Sequence, residues 1–330
     1  MLTWQIQERI FTLKYQWRLS RNNSTEKTNF FVTVTENGIS GIGEAAPNIR
    51  YNETPEILRE EWQRFIVSHP ENCSGVDELE KRLNTLELPN ALRFAIESAY
   101  IHFHCKKNNI TIYDFLGLQP ARSIKTAFSL PIMAAGDIGG FIRDNILYRF
   151  PALKIKVNRE SAAELVHAVA KEYKSVLRVD ANESFQNPDE CLKFMKEIEG
   201  LPVEFIEQPL PAEMEEEYRF LKKKSPLPII ADESVLDNPD FDALEKQFHG
   251  INMKLMKAGG YLNGTRILKE PRKRGMKTMI GCMVESTIGI SSAMHLCTLV
   301  DYVDLDGSLI IKDEPFGLVN EKDGELLFVE

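Results

Sequence analysis

Two lysines interrupt an apolar run, Leu153-Lys154-Ile155-Lys156-Val157, at alternate positions. Residues two apart on a β-strand share a face, so Lys154 and Lys156 point together where hydrophobes would ordinarily be buried. Desolvating one ammonium is costly and a like charge beside it adds to the cost, so the pair calls for anions or a metal-bound ligand. Three further apolar runs end in an acid: Asp180 after 176–179, Glu207 after Phe205-Ile206, and Asp232 after 228–231. The acids lie 27 and 25 residues apart, about one strand-helix unit each. Successive parallel strands would therefore gather three carboxylates at one end of a sheet, and hard oxygen ligands on rigid strand ends suit Mg²⁺. The alternative is three unrelated helix N-cap acids, since strand-to-helix loops favour Asp. Their common register, beside lysines that need anions, favours a metal site.

One unit further on stands Ile251-Asn252-Met253-Lys254-Leu255-Met256-Lys257-Ala258-Gly259-Gly260. Lys254 is expected inside this strand, across the sheet's ring from Lys156, and Lys257 in the following loop, solvated. Basic groups on either side of a bound substrate could remove a proton from one face and return one to the other. A free lysine is protonated at neutral pH, but nearby cations and burial lower its pKa, so Lys154 would help Lys156 act as a base. Asp304-Leu305-Asp306 places two more acids on one face, suited to a cationic part of the substrate.

The elements that must position these residues fall into two grammars. From Trp4 to Glu44 the pattern has period two, with a hairpin at Asn37-Gly38. The polar stretch 20–28 is expected to connect two strands. Helical periodicity follows from Thr54, an N-cap before Pro55, and His102 and His104 on one of these helices read as packing or surface residues. After residue 123, short apolar runs alternate with helices, at 126–131, 152–157, 176–179, 203–206, 227–231, 251–255, 277–281 and 302–305. Ser161 with Glu164 fits a capping box, Asn187-Pro188 an N-cap with proline at N1, and Asn238-Pro239 repeats that device. The expected fold is α/β: a barrel over 123–308, an α+β capping domain over 1–122, and a segment 309–330 returning to the cap.

Composition narrows the partners. A net charge of −9 over 330 residues opposes a nucleic-acid partner, and Lys222-Lys223-Lys224 beside Glu215-Glu216-Glu217 reads as a solvated helix end. No run approaches 18 apolar residues and no leader pattern opens the chain, so neither membrane insertion nor secretion is indicated and a cytoplasmic protein is expected. Five scattered cysteines without a CxxC pair read as reduced thiols. The expected partner is a small molecule, and a homo-oligomer is compatible with this composition.

Taken together, Lys154-x-Lys156, Asp180-Ala-Asn182, Glu207-Gln208-Pro209, Asp232-Glu233-Ser234 and Lys254 with Gly259-Gly260 resemble the muconate-lactonizing subgroup of the enolase superfamily, over nearly the whole chain. The resemblance implies a modified TIM barrel of (β/α)7β form, and within the subgroup Asp304-x-Asp306 resembles the dipeptide epimerases. The resemblance, not the spacing, supplies the mechanism. Asp180, Glu207 and Asp232 would bind Mg²⁺, which takes a dipeptide's carboxylate. Lys156 and Lys254 would exchange the α-proton of its C-terminal residue through a metal-stabilised enediolate, Lys154 would offset charge, and Asp304 and Asp306 would hold the α-ammonium. Residues 281–286, including Met283, fit the family pattern at strand seven. Specificity would lie in cap loops near 20–28 and 48–52, with Phe30, Phe31 and Tyr51 as aromatic candidates and Arg21 or Lys27 as basic ones. The expectation is for small or hydrophobic dipeptides. The alternative is another enzyme of the subgroup: an N-acylamino acid racemase, an o-succinylbenzoate synthase or a cycloisomerase, none of which needs an ammonium binder.

Overall fold

The period-two segments pair into an antiparallel sheet in the order β1 (Thr3–Arg18), β2 (Asn23–Glu36) and β3 (Ile39–Ala45). The computed structural model describes residues 1–18 and 23–329. Asn37 and Gly38 take φ of 51° and 80°, the left-handed pair that a tight Asn-Gly hairpin demands. The expected connection at 20–28 is shorter than the sequence implied. Asn23 and Ser24 pair with Arg18 and Trp17, and Glu26 to Thr28 pair with Thr12 to Ile10, because the 16-residue β1 offers backbone partners to polar and apolar residues alike. Arg21 lies outside the described residues.

Four helices follow: α1 (Pro55–Val67), α2 (Val76–Leu86), α3 (Asn90–Asn108) and α4 (Ile112–Leu116). Thr54 caps α1 by accepting from the Ile57 N–H, with Pro55 at the first position, as expected. α3 is buried along most of its length and lies on β2 and β3. The approach is close enough that a Cβ at Gly41 would sit 2.0 Å from the Ala99 carbonyl oxygen.

The alternating region then runs β4 (Phe128–Leu130), α5 (Ile138–Asp144), β5 (Ala152–Lys156), α6 (Ala162–Glu172), β6 (Val176–Asp180), α7 (Pro188–Glu197), β7 (Val203–Glu207), α8 (Glu215–Lys224), β8 (Ile229–Ala231), α9 (Phe241–Gln247), β9 (Gly250–Met253), α10 (Leu255–Ala258), α11 (Tyr261–Lys273), β10 (Lys277–Gly281), α12 (Thr287–Met294) and β11 (Tyr302–Asp304). The eight strands are parallel and neighbour one another in chain order. The Ala127 N–H donates to Val303 O at 3.1 Å and the Leu305 N–H to Thr126 Oγ1 at 2.8 Å, which joins the last strand to the first. The expected (β/α)7β ring is thus formed, its strands ending within two residues of expectation.

Helix starts differ in two places. Ser161 does not cap α6: its hydroxyl donates to Asn158 Oδ1 at 2.6 Å instead. α9 is capped by Asp240 rather than Asn238, since Asp240 Oδ1 reaches the N–H groups of Asp242 and Ala243. Asn187 caps α7 as expected. A terminal hairpin, β12 (Val319–Lys322) with β13 (Glu325–Phe328), follows the ring. The chain leading to it touches the cap, where Lys312 N–H donates to Thr12 O, and the hairpin touches the segment just before β4, where the backbones of Glu325 and Lys125 form an antiparallel β-bridge. Among the described residues no helix is long and apolar enough to cross a membrane, and all five cysteines are free. His102 is a packing residue: its ring nitrogens lie 2.6 Å from Ile42 O and 2.9 Å from the Tyr261 hydroxyl.

Candidate active site

Parallel register does the first work of assembly. Lys156 pairs with Asp180, Asp180 with Glu207, and Glu207 with Ile230, so these residues form one layer at the carboxyl ends of β5, β6, β7 and β8. Asp232 stands two residues beyond Ile230, on the same face. The three acids are at most 1% exposed, and one oxygen from each falls within 4.8 Å of the others. Lys254 directly follows the strand β9, one residue past its last ladder pair, rather than lying inside it. β5 and β9 are four steps apart in a ring of eight, so Lys156 and Lys254 approach the axis from opposite sides.

Cations fill the spaces among the acids. Lys154 Nζ lies 2.9 Å from Asp180 Oδ2, 2.8 Å from Glu207 Oε2 and 2.8 Å from Asp304 Oδ2. Lys156 Nζ is 2.5 Å from Asp180 Oδ2 and Lys254 Nζ 2.9 Å from Asp232 Oδ2. Burial disfavours the charge on Lys154, but Asp180, Asp304 and Glu207 outweigh it and hold the ammonium well above the ordinary lysine range. Lys154 therefore faces Lys156 as a compensated cation rather than a bare one. Lys254 is also raised: burial opposes its charge and Asp232 more than restores it. Asp180 falls to about 2, because Lys154 and Lys156 overcome the effect of burial, whereas burial and Asp180 push Glu207 up to about 7. Glu207 Oε2 has ion-pair proximity to Lys154 but no hydrogen bond of good geometry. Three buried carboxylates this close, one with an oxygen short of donors, are a donor set that a hard divalent cation fits.

The neighbouring loops are held under strain. Asn182, Glu183 and Gln208 take φ of 43°, 64° and 35°. Such conformations cost on the order of 1–3 kcal/mol each for residues other than glycine and are kept where surrounding contacts overdetermine them. Gln208 provides such contacts: its Oε1 accepts from the N–H groups of Asp232 and Ser234, and its Nε2 donates to the Tyr218 and Ser234 hydroxyls.

Above the layer opens a cavity of about 370 Å³, lined by Lys154, Lys156, Lys254, Asp232, Asp304 and Asp306 and roofed by cap residues, Lys27, Tyr51 and Asn48 among them. Asp306 Oδ2 accepts from the Ser129 N–H at 2.5 Å, and the Ser129 hydroxyl lies 3.4 Å from Asp304 Oδ1. Burial and the adjacent Asp304 push Asp306 up to about 6. Met283 also lines the cavity, and its sulfur accepts from Asn48 Nδ2 at 3.4 Å. Lys27 is brought to the cavity, but its ammonium donates to the Pro47 carbonyl, and burial lowers its pKa to about 8 despite Glu53 and Glu285 nearby. Arg50 bridges the roof to the barrel through paired bonds of 2.9 Å to both carboxylate oxygens of Glu183.

Two expectations are corrected. Phe31 does not reach the cavity: it is 3% exposed, its ring packed against Phe316 and Phe11 at 4.8 and 6.0 Å, because the alternation of β2 turns it to a separate apolar cluster. Lys257 is not solvated. It is 2% exposed, and α10 turns it back so that Nζ lies 2.6 Å from Asp232 Oδ1. Ser129 and Asn252 went unnoticed in the sequence, yet each is a lone polar residue in an apolar strand, and Asn252 shares the face of Lys254 and donates to Glu207 Oε1 at 2.9 Å. Glu44 gave no signal. It accepts from Asn29, from the Ser286 N–H and hydroxyl, and from the Gly289 N–H, clamping the cap sheet to the start of α12.

Comparison with known proteins agrees with this geometry. Residues 141–312 match the model of the family described as enolase C-terminal domain-like. The chain is 32% identical to an L-Ala-D/L-amino acid epimerase of Flavobacterium johnsoniae, covering 94% of this chain and 92% of that one. It is 36% identical to another of the same description from Pedosphaera parvula, over 88% and 84% of the two chains. A dipeptide epimerase of Methylococcus capsulatus, solved as a complex with Mg and the dipeptide L-Arg-D-Lys, superposes with a TM-score of 0.84 at 28% identity, over 99% of this chain and 97% of that one. The chain belongs to the enolase superfamily, within its dipeptide epimerases.

Proposed function

We propose that the protein is an Mg²⁺-dependent epimerase that inverts the α-carbon of the C-terminal residue of a dipeptide, converting L-X-L-X to L-X-D-X. The observation that carries this reading is the opposed pair Lys156 and Lys254, separated by half the ring and set over the three-carboxylate layer. Asp180, Glu207 and Asp232 would hold the ion, which when bound supplies a Lewis acid to the substrate carboxylate and so makes the α-hydrogen more acidic. The chain's own groups do the rest. One of Lys156 and Lys254, in its neutral form, takes the α-proton, and the other, as an ammonium, delivers a proton to the opposite face. Composition is unchanged and only the configuration differs. Lys154 cannot serve as base while three carboxylates keep it charged, so it contributes a fixed positive field where negative charge develops on the substrate.

Asp304 and Asp306 face the same cavity and would take the free α-ammonium, with Ser129 fixing the Asp306 carboxylate. This pair favours a free-amine dipeptide over the N-acylated or amine-free substrates of the alternative enzymes. Small or hydrophobic dipeptides remain the preferred class here; Lys27, with one donor on the Pro47 carbonyl, is the roof side chain that would instead attract an acidic residue. Tyr51 and Met283, which line the same cavity, would meet the substrate's side chains. A library of L-X-L-X dipeptides incubated with the protein and Mg²⁺ in deuterated water tests the reading, with mass spectrometry reporting one deuterium gained per turnover. Exchange is expected with small and hydrophobic members. Exchange confined to N-acylated amino acids would overturn the function, and acidic dipeptides turning over best would overturn the specificity.

A further inference from the structure

Lys257 is a fourth lysine at the mouth of the ring, and its surroundings differ from those of the other three. Lys254 and Lys156 line the 370 Å³ cavity; Lys257 does not, and instead forms part of the wall of a second cavity, of about 980 Å³, between the cap helices and the barrel. Its ammonium has three hydrogens and three acceptors: Asp232 Oδ1 at 2.6 Å, the Asp232 carbonyl at 2.5 Å and the Asn252 carbonyl at 3.3 Å. A lysine whose donors are all taken and which is 2% exposed has nothing left to offer a substrate.

From this geometry we infer that Lys257 is a positioning residue: it locks the carboxylate of Asp232, a candidate metal ligand, and staples the end of β8 to the end of β9. Asp232 follows a strand of only three residues, so its backbone is poorly fixed by the ladder alone. Gln208 holds its N–H from one side and Lys257 holds its carbonyl from the other. The same ammonium occupies Oδ1 and leaves Oδ2 to Lys254. Because Lys257 also grips Asn252, one residue carries the spacing between Asp232 and Lys254, the acid and the base of that wall. Without it the Asp232 carboxylate would be held by Lys254 alone and could turn toward it. Partners behind a ligand set its orientation, and losing one lowers metal affinity by roughly 10–100-fold.

The test uses the full-length metal-free protein and Mg²⁺ alone as the probe. Lys257→Met should weaken Mg²⁺ binding by about 10–100-fold in calorimetric titration and lower kcat on a turned-over dipeptide, with KM at saturating Mg²⁺ nearly unchanged. Lys257→Gln, which keeps a donor but loses the charge, should fall between, and it serves as the measured variant if the methionine form does not fold. A folded variant with wild-type Mg²⁺ affinity, whatever its melting temperature, would overturn the proposal, as would wild-type protein that binds no Mg²⁺. The activity arm rests on the epimerase reading and the binding arm does not. If no dipeptide exchanges its α-hydrogen, the functional reading fails while the Mg²⁺ titrations still decide the role of Lys257.

Discussion

Replacing Lys154 by methionine removes one cation from among three buried carboxylates while keeping a stem of similar volume. Asp180, Glu207 and Asp304 each lie within 2.9 Å of the Lys154 ammonium, and all are nearly solvent-free. Breaking a buried ion pair from one side is destabilising by about 3–5 kcal/mol, because the remaining charge is left uncompensated. At about 2.1 cal/mol/K per residue, a chain of 330 residues has an unfolding entropy near 0.7 kcal/mol/K, so the loss corresponds to a fall in Tm of roughly 4–7 °C. The folded pKa of Lys154 is raised above its unfolded value of 10.5, so its stabilisation is fully present below about pH 10.5 and is lost only as pH rises through the folded value. A thermal melt at pH 7 therefore reads the whole contribution. The melt is done in chelator and again in excess Mg²⁺. The metal-free variant should melt about 4–7 °C below wild type, and Mg²⁺, by neutralising the same acids, should narrow the gap. A metal-free difference under about 1 °C, or a gap that widens with Mg²⁺, would refute the electrostatic reasoning.

Further outcomes follow from other parts of the molecule. Asp306 titrates at about 6, so its charge is lost as pH falls through that value; KM for a free-amine dipeptide should rise about tenfold between pH 7 and pH 5, Asp306→Asn should abolish that rise, and a KM flat in pH would contradict the ammonium role. Glu44→Leu strands the buried donors of Asn29, Ser286 and Gly289, so urea unfolding should show a loss of about 3 kcal/mol or more, and a loss under about 1 kcal/mol would contradict the clamp. Gly260 takes φ of 153°, and a Cβ there would lie 2.1 Å from Glu97 Oε2. Gly260→Ala should therefore cost more stability than Gly275→Ala, where φ is 71° and no atom lies within 4 Å.

The barrel and its charged layer were legible because both rest on period and register. An acid placed at the end of each successive strand must meet its neighbours once the strands are parallel, and this brought Asp180, Glu207, Asp232 and the two lysines together from spacing alone. Local pattern failed where a longer-range partner decided the outcome. The polar residues 23–28 became strand because β1 extends far enough to pair with them. Lys257 lost its solvent because α10, beginning directly after Lys254, turns its side chain back on Asp232. Phe31 left the site because the sequence shows that Phe30 and Phe31 face opposite ways but not which way the cavity lies. The Glu44 clamp joins residues more than 240 positions apart, which no periodicity reports.

The central claim is that Lys156 and Lys254 serve opposite faces of one α-carbon. It is tested most directly by following α-hydrogen exchange in deuterated water by proton NMR, starting separately from the L,L and the L,D form of one turned-over dipeptide, with Lys156→Met and Lys254→Met. Each variant should fail to epimerise yet still exchange the α-hydrogen of one epimer, and the two variants should retain opposite epimers. Loss of exchange from both epimers in both variants, or retention of the same epimer in each, would contradict the two-face arrangement.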